Sequence, residues 1–237
     1  MSRCLAFTFV TLLLSCFLTV PAARADAPAH VRATYKITKG GITIGTVEED
    51  FARTGDQYKI TSITQTTGPL AWILRDRLTI TSEGRIGPAG IQPDLYEFKR
   101  QKDSKKNLSS RFDWEKGKIF CDHEGQIEPF ELPRGTLDRV SAMYQFMFNA
   151  PHTPEVLVRM SQGKRSEQYR YVKQGEPSLK VGDSEYATVH YVRDAKPGES
   201  RAELWLAKDR HYLPVRIVFE DSHGFSLEQS LLTLDIE

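Results

Sequence analysis

Apolar and polar side chains alternate, one by one, along most of this chain of 237 residues. The clearest case is the stretch 201–220, in which two alternating runs flank the polar corner 208–211. Successive side chains of a strand point to opposite faces, so alternation indicates a strand with one buried face. Two such runs joined by a short corner indicate an antiparallel hairpin. We therefore expect the hairpin 201–220 to be a central element of a β-built protein.

The same alternation predicts about twelve strands, with turn signals at intervals of about 8–12 residues, a spacing typical of sandwiches and barrels. The first three runs, 31–38, 42–53 and 57–66, are joined by glycine-containing corners and are expected to form a meander. Neither a long internal repeat nor a low-complexity linker divides the chain. The fold class we predict is mainly β: one domain, 26–237, built as a single antiparallel curved sheet, a half-open β-barrel or a sandwich.

One segment, 136–149, has a helical rather than a strand period. Leu137, Val140, Met143 or Tyr144, Met147 and Phe148 follow at steps of three and four residues. Thr136 stands at the N-cap position and Pro151 stops the segment. We predict one amphipathic helix here, whose apolar stripe packs on the sheet or closes a barrel mouth.

Residues 1–25 have the features of a cleaved export signal. Arg3 precedes an apolar run, 4–20, and Ala23-Arg24-Ala25 forms an A-x-A cleavage site. The run is shorter than the roughly 20 apolar residues that a membrane span needs. We expect cleavage after Ala25 and a periplasmic product with no stable membrane span. The alternatives are a retained anchor and a lipid-modified Cys16.

Charge and cysteine content exclude several classes of protein. Removing the leader leaves 30 basic and 31 acidic residues, a balance that gives no long-range attraction for nucleic acid. The basic tip 100–106 lacks interleaved aromatic side chains and is interpreted as a solvated hairpin end. Only Cys121 remains after cleavage, so no intramolecular disulfide can form. We expect a monomer whose core depends on packing and strand pairing alone.

Motifs for catalysis or for cofactors are not found. The sequence contains neither a G-x-S-x-G elbow, nor a glycine-rich phosphate loop, nor H-E-x-x-H spacing. Cys121 and His123 lack the second pair of ligands that a closed zinc site requires. Carboxylate pairs such as Asp122 with Glu124 are the only material for a hydrolase, and this is the weakest alternative. No cofactor and no metal are therefore expected.

The segment 68–77 interrupts the alternation with an apolar cluster followed by charges. The cluster is either a core plug or a flexible lip at a ligand cavity, because aromatic and aliphatic side chains beside arginines are typical of such sites. The arginines either form local ion pairs or ring a cavity mouth and bind an acidic head group bidentately. The helix methionines are either core or adaptable cavity lining. The candidate ligand- or partner-binding residues are Leu70, Trp72, Ile73, Leu74, Arg75, Arg77, Arg139, Met143 and Met147.

An ordered set of short motifs covers nearly the whole mature chain: Tyr35, Gly40-Gly41, Gly45, Thr67-Gly68, Arg75-Asp76-Arg77, Arg111-Phe112-Asp113-Trp114, Leu132-Pro133, Asp138-Arg139, Leu204-Trp205-Leu206-Ala207 and Tyr212-Leu213-Pro214-Val215-Arg216. Through these motifs the chain from about residue 35 to residue 236 resembles a family of exported bacterial proteins, domain of unknown function 3108. This resemblance implies an envelope protein of antiparallel β-structure and implies no activity.

The closing hairpin, W-L-x-x-D-x-x-x-L-P-V-R-I, is also similar to that of periplasmic lipoprotein carriers. Those proteins hold an acyl chain in a half-open barrel beneath a helical lid. This chain departs from them by having one clear helix.

Two functions follow as hypotheses. The first is a non-enzymatic protein that binds or carries a hydrophobic or amphiphilic component of the envelope, because a curved sheet can enclose a cavity for it. The second is a structural module that docks through an exposed edge or apolar lip onto another envelope protein.

Overall fold

Most of the chain is β-strand, as the alternation predicts. The computed structural model describes residues 27–67 and 76–237, so the predicted leader 1–25 and the candidate residues Leu70, Trp72, Ile73, Leu74 and Arg75 lie outside the described residues. The described part forms sixteen strands, more than the twelve expected. These are β1 His30–Lys39, β2 Ile42–Thr54, β3 Gln57–Thr66, β4 Arg77–Gly87, β5 Gly90–Arg100, β6 Leu108–Asp113, β7 Lys118–His123, β8 Gln126–Glu131, β9 Thr136–Asp138, β10 Glu155–Ser161, β11 Ser166–Gly175, β12 Ser178–Val181, β13 Ser184–Arg193, β14 Arg201–Ala207, β15 Leu213–Glu220 and β16 Ser226–Ile236.

The sheet is one continuous ladder whose two halves meet at β1. An antiparallel meander runs from β1 to β8, and the other edge of β1 pairs with the last strand, β16. From β16 the order continues through β15, β14, β13, β11 and β10 to β9, which is parallel to β10, while β12 pairs with β13 beside this path. Because β8 and β9 end the ladder without pairing with each other, the described sheet is open.

The hairpin predicted over 201–220 is confirmed. Strands β14 and β15 pair antiparallel from Arg201 opposite Glu220 to Ala207 opposite Leu213, with a bulge between Trp205 and Leu206. The meander predicted for the first three strands is confirmed as well.

The predicted helix over 136–149 is wrong in extent. Thr136–Asp138 is strand β9, the α-helix (α1) covers only Ser141–Tyr144, and Gln145–Met147 is a 3-10 turn. The helix begins late because the Asp138 carboxylate accepts hydrogen bonds from the backbone N–H groups of Val140 and Ser141, both at 2.9 Å. The side chain of Thr136 donates to the carbonyl oxygen of Pro133 instead of capping a helix.

One face of the sheet, which we call the inner face, carries the main core. Strand register places Phe51, Ile60, Ser82, Tyr96 and Ser110 side by side across β2 to β6, and each is at most 1 % exposed. We call this set the middle row. The end of the sheet at the start of β1 and the end of β2 is the lower end, and the end at the β1–β2 turn is the upper end.

The segments after β8 cover the middle row from inside. Strand β9 packs against β5 and reaches Ser82, whose hydroxyl donates to the Asp138 carboxylate. The β10–β11 turn meets β6, where the Ser110 hydroxyl donates to the carbonyl oxygen of Gly163 at 2.5 Å. The polar groups of the middle row are thereby satisfied within the protein, and the interior at this level is solid.

The 3-10 turn after α1 is fixed to the lower end of β4 and β5. The Gln145 side chain accepts a hydrogen bond from Ile91 N at 2.7 Å and donates to the carbonyl oxygen of Ala89 at 3.0 Å. Asn149 donates to the same oxygen at 2.7 Å. This segment therefore closes the lower end of the sheet, as the sequence prediction of a helix at a barrel mouth suggested for a longer element.

Candidate functional site

Burial on the inner face falls from the middle row toward the upper end. The next row up contains Glu49, Ser62, Ile80, Phe98 and Leu108. Ser62 and Ile80 are at most 5 % exposed, whereas the side chains of Phe98 and Leu108 are only half-buried. In the row above, Leu78 is half-buried too. Large apolar side chains on the inner face therefore remain partly open to solvent at this end.

Arg139 lies among these inner-face residues and yet is exposed. It follows Asp138, which is anchored on Ser82, and its positive charge acts on the ionisable groups of Glu49 and Tyr96. The charge coupling places this exposed arginine on the inner side of the sheet, near residues of both β2 and β5. We call the inner-face surface formed by Glu49, Leu78, Phe98, Leu108 and Arg139 the upper lumen.

Glu49 is the acidic group of the upper lumen. Its carboxylate accepts hydrogen bonds from Tyr144 Oη at 3.0 Å and Ser62 Oγ at 3.2 Å. Burial raises the pKa of Glu49, while the two hydrogen bonds and the Arg139 charge oppose that shift. The guanidinium forms no ion pair within 4.0 Å inside the described ranges.

A second carboxylate, that of Asp138, is fully buried below the upper lumen. Besides the two backbone N–H groups, it accepts the hydroxyl of Ser82, and Tyr58 Oη lies 2.8 Å from the same serine oxygen. Burial raises the pKa of Asp138, and its four hydrogen bonds oppose this shift. All of its partners are structural groups at the start of α1 or in the wall, so we assign Asp138 a structural role.

The predicted site residues are not brought to one place. Arg139 lies in the upper lumen, whereas Arg77 is exposed and precedes Leu78, so strand alternation places it on the outer face. Met143 and Met147 are half-buried and pack against the main core. The predicted lip at 70–74 stays a prediction; by sequence it joins the upper ends of β3 and β4.

Met147 also lines a separate cleft at the lower end. This cleft has a volume of about 680 Å³ and lies between the segment 147–150 and the β14–β15 turn. The ring of Tyr212 meets that of His152 edge-on at 6.0 Å. His211 and Tyr212 have positive φ angles of 53° and 56°, a conformation that costs energy for residues other than glycine.

The residues considered for catalysis or metal binding form no reactive arrangement. Asp122 accepts a hydrogen bond from Gly125 N at 3.0 Å and so holds the β7–β8 turn together. Glu124 is exposed in that turn. Within residues 27–67 and 76–237, no group of three or more His, Cys, Asp and Glu side chains is suited to hold a metal ion. In the same ranges, no helix is both long and apolar enough to cross a bilayer.

Sequence comparison assigns the chain to a family. The model of the family described as protein of unknown function, DUF3108, matches residues 33–230. The chain belongs to the DUF3108 family. No curated protein matches this DUF3108 chain.

The structure of this DUF3108 chain is similar to solved structures of other proteins. One is the crystal structure of a β-barrel-like protein of domain of unknown function DUF1849 from Brucella abortus, with a TM-score of 0.56 and 12 % identity, covering 89 % of this chain and 98 % of that chain. Another is the hypothetical protein CT021 from Chlamydia trachomatis, with a TM-score of 0.36 and 7 % identity, covering 86 % of this chain and 87 % of that one. The first likeness shows a β-barrel-like fold, and the family match indicates no enzymatic family.

Glu49, Phe98 and Leu108 belong to the upper lumen of this DUF3108 chain and were missed in the sequence. One signal was present: Glu49 shares its strand face with the apolar residues Val47 and Phe51, so an acid stands at an inward position. Its proximity to Arg139 depends on how strands 90 residues apart in the chain are assembled, which alternation alone does not reveal.

Proposed function

We propose that the protein is a non-enzymatic binding protein of the cell envelope that holds an amphiphile in the upper lumen. The observation that supports this most is an exposed arginine on the inner side of the sheet, where the inner-face side chains Leu78, Phe98 and Leu108 are only half-buried. Soluble proteins normally bury such side chains, and an apolar cavity with a few polar groups is the usual form of a ligand site.

The arrangement favours an amphiphile with an acidic head group. Phe98 and Leu108 provide apolar wall for a hydrocarbon chain, and the Arg139 guanidinium offers a planar pair of donors to a carboxylate or phosphate. Glu49 is the acidic residue of this surface, and burial raises its pKa. Export to the periplasm, proposed from the leader 1–25, would place the protein where envelope lipids are found.

Binding of two probes of equal chain length tests the proposal. A fluorescent fatty acid and the matching fatty alcohol are titrated into the chain starting at Asp26, in solution without vesicles. Arg139→Gln should weaken binding of the acid by about tenfold or more and spare the alcohol, because a charge-assisted hydrogen bond is lost. Phe98→Gln should weaken binding of both probes, because the apolar wall is lost.

Matched variants control for charge and surface effects. Arg134→Gln removes an exposed arginine from the same connecting segment, and Leu232→Gln changes an apolar side chain, 52 % exposed, on β16. Neither should change the affinity for either probe. Absence of probe binding by the unmodified chain, or equal losses in the control variants, would overturn the proposal.

A further inference from the structure

We propose that the upper end of the protein docks on the surface of an anionic lipid bilayer. This inference rests on the proposed function, because it gives the membrane as the place where the upper lumen exchanges its amphiphile. The described turns and connections at this end include β1–β2, β5–β6, β7–β8, β13–β14 and β15–β16. The described parts of three of them carry the features of an interfacial surface.

Exposed apolar side chains stand at the tips of two neighbouring turns. Ile42, the first residue of β2 after the β1–β2 turn, is 67 % exposed, and Phe225, in the β15–β16 turn, is 41 % exposed. The two turns lie side by side because β1 pairs with β16, with Thr38 opposite Glu228. Isolated apolar side chains at the tips of adjacent turns are suited to enter the boundary between head groups and acyl chains.

A lysine side chain lies over the ring of the exposed phenylalanine. Lys39 Nζ lies 4.2 Å from the centre of the Phe225 ring, and the lysine side chain is exposed. A cation above an exposed aromatic ring can reach a lipid phosphate while the ring enters the apolar layer. The acidic residue of this turn, Asp221, accepts hydrogen bonds from the N–H groups of His223 and Phe225 and is thus used to shape the turn.

The β5–β6 connection adds a basic tip at the same end. Lys102, Lys105 and Lys106 are exposed there, and Asp103 pairs with Lys106 at 3.0 Å. The tip is held in place because His123 Nε2 lies 2.7 Å from the carbonyl oxygen of Lys105. The sequence analysis interprets this tip as a solvated hairpin end. Its position at the upper end makes it part of the proposed docking surface.

The chemistry of this end favours a membrane over a protein partner. Its apolar side chains are separate tips with lysines between them, whereas a protein interface normally has a continuous apolar centre. Each lysine near an anionic bilayer contributes about 1 kcal/mol of attraction. Because the chain as a whole is nearly neutral, this local concentration of lysines would orient the protein with its upper end toward the membrane.

Flotation with vesicles tests the proposal on the ligand-free chain starting at Asp26. Vesicles of phosphatidylglycerol and phosphatidylethanolamine should bind it, and vesicles of phosphatidylcholine alone should bind it at least about tenfold more weakly. Lys102→Glu/Lys105→Glu and Ile42→Asp/Phe225→Asp should each reduce binding to the anionic vesicles by about tenfold or more. Added salt should weaken binding of the unmodified chain.

Variants elsewhere on the sheet serve as controls. Lys116→Glu/Arg210→Glu makes the same charge change in two turns of the lower end, and Leu232→Asp changes an exposed apolar residue in the middle of β16. Both should retain vesicle binding. Equal binding to both kinds of vesicle, or equal losses in the upper-end and control variants, would overturn the docking surface.

The docking surface and the ligand site can fail separately. The upper-end variants should still bind the fluorescent fatty acid in vesicle-free solution, and Arg139→Gln should still bind anionic vesicles. Loss of fatty-acid binding alone contradicts the lumen site, and loss of vesicle selectivity alone contradicts membrane docking.

Discussion

Replacing Asp138 by alanine should be among the most destabilising single changes in this protein. The carboxylate is completely buried and accepts hydrogen bonds from Ser82, Val140 and Ser141. It joins the wall of the sheet, at β4, to the start of α1. Asp138→Ala would leave one hydroxyl and two backbone N–H groups buried with no acceptor, and it would also leave a small cavity.

The size of the effect follows from these three donors. A buried donor without a partner costs about 1–3 kcal/mol, so the three donors together give an expected loss of about 3–9 kcal/mol in the free energy of unfolding. That is a large share of the total stability of about 5–15 kcal/mol that is typical of a domain. Asp138→Asn should cost less, about 1–2 kcal/mol, because its carbonyl oxygen can still accept both N–H groups and Ser82 can reverse its hydrogen bond.

The pH dependence provides a second, independent measurement. Burial raises the pKa of Asp138 above its ordinary value of 3.8, so the folded protein binds a proton more tightly at this site than the unfolded chain does. The stabilisation from this site is therefore greatest at acidic pH and is lost as pH rises from the ordinary value through the raised pKa. Asp138→Asn removes that slope, so its stability deficit relative to the unmodified chain should be largest in acid and shrink toward neutral pH.

Urea unfolding followed by circular dichroism, repeated between acidic and neutral pH, measures both effects. Asp221 is a matched control, since it also accepts two backbone N–H groups but is exposed, and its pKa is lowered by them. Asp221→Asn should therefore show the opposite slope, with its deficit growing as pH rises from strongly acidic values. An Asp138→Ala variant as stable as the unmodified chain, or the same pH slope in both Asn variants, would refute the structural role of Asp138.

Three further outcomes are expected. Gly163→Ala should lower the free energy of unfolding in urea by about 2–4 kcal/mol, because the residue has a φ of +94° and the new methyl group would lie 2.5 Å from a leucine methyl of β6. Gly182→Ala is the control, since Gly182 also has a positive φ but faces open space, and it should cost only about 1 kcal/mol. Equal losses in the two variants would contradict the packing argument. Gln145→Ala should cost about 1–3 kcal/mol in the same assay by freeing the β4–β5 turn, and an unchanged midpoint would mean that this contact does not hold the 3-10 turn on the sheet. Cys121 lies on β7 opposite Ser110 of the middle row and is 1 % exposed, so it should react with a thiol reagent only as fast as the protein opens. Rapid modification in the absence of denaturant would contradict the burial of this row.

Strand positions could be predicted from sequence because burial and alternation coincide in most of this sheet. The hairpin β14–β15 shows this, since Leu204 and Leu206 are almost completely buried and the predicted partners pair as expected. Strand β8 was not predicted because it is an edge strand with hardly any buried face and contains Pro129. Alternation detects a strand by its buried face, and a strand without one leaves no such signal.

The segment 136–149 shows why periodicity can give the wrong element. Leu137, Val140 and Tyr144 are each at most 5 % exposed, just as the helical pattern predicts for an inward face. They reach that burial through a strand, a turn and one turn of helix, because the Asp138 carboxylate bonds the N–H groups after it and β9 pairs with β10. The spacing indicates which side chains are buried, whereas the backbone hydrogen bonds determine whether the segment is strand, turn or helix.

This difference in element also explains why the upper lumen exists. A continuous helix of fourteen residues would extend about 21 Å and could cross the whole inner face. The folded segment instead covers the middle row with β9 and closes the lower end with α1 and the 3-10 turn that follows. It leaves Phe98 and Leu108 half-buried and carries Arg139 into the space above. Replacing Asp138 with a residue that cannot accept hydrogen bonds from the N–H groups after it would lengthen α1. We expect this change to disturb both the core and the proposed ligand site. Loss of fatty-acid binding in a folded Asp138→Ala chain, with vesicle binding retained, would support this coupling, and an unchanged affinity for the fatty acid would contradict it.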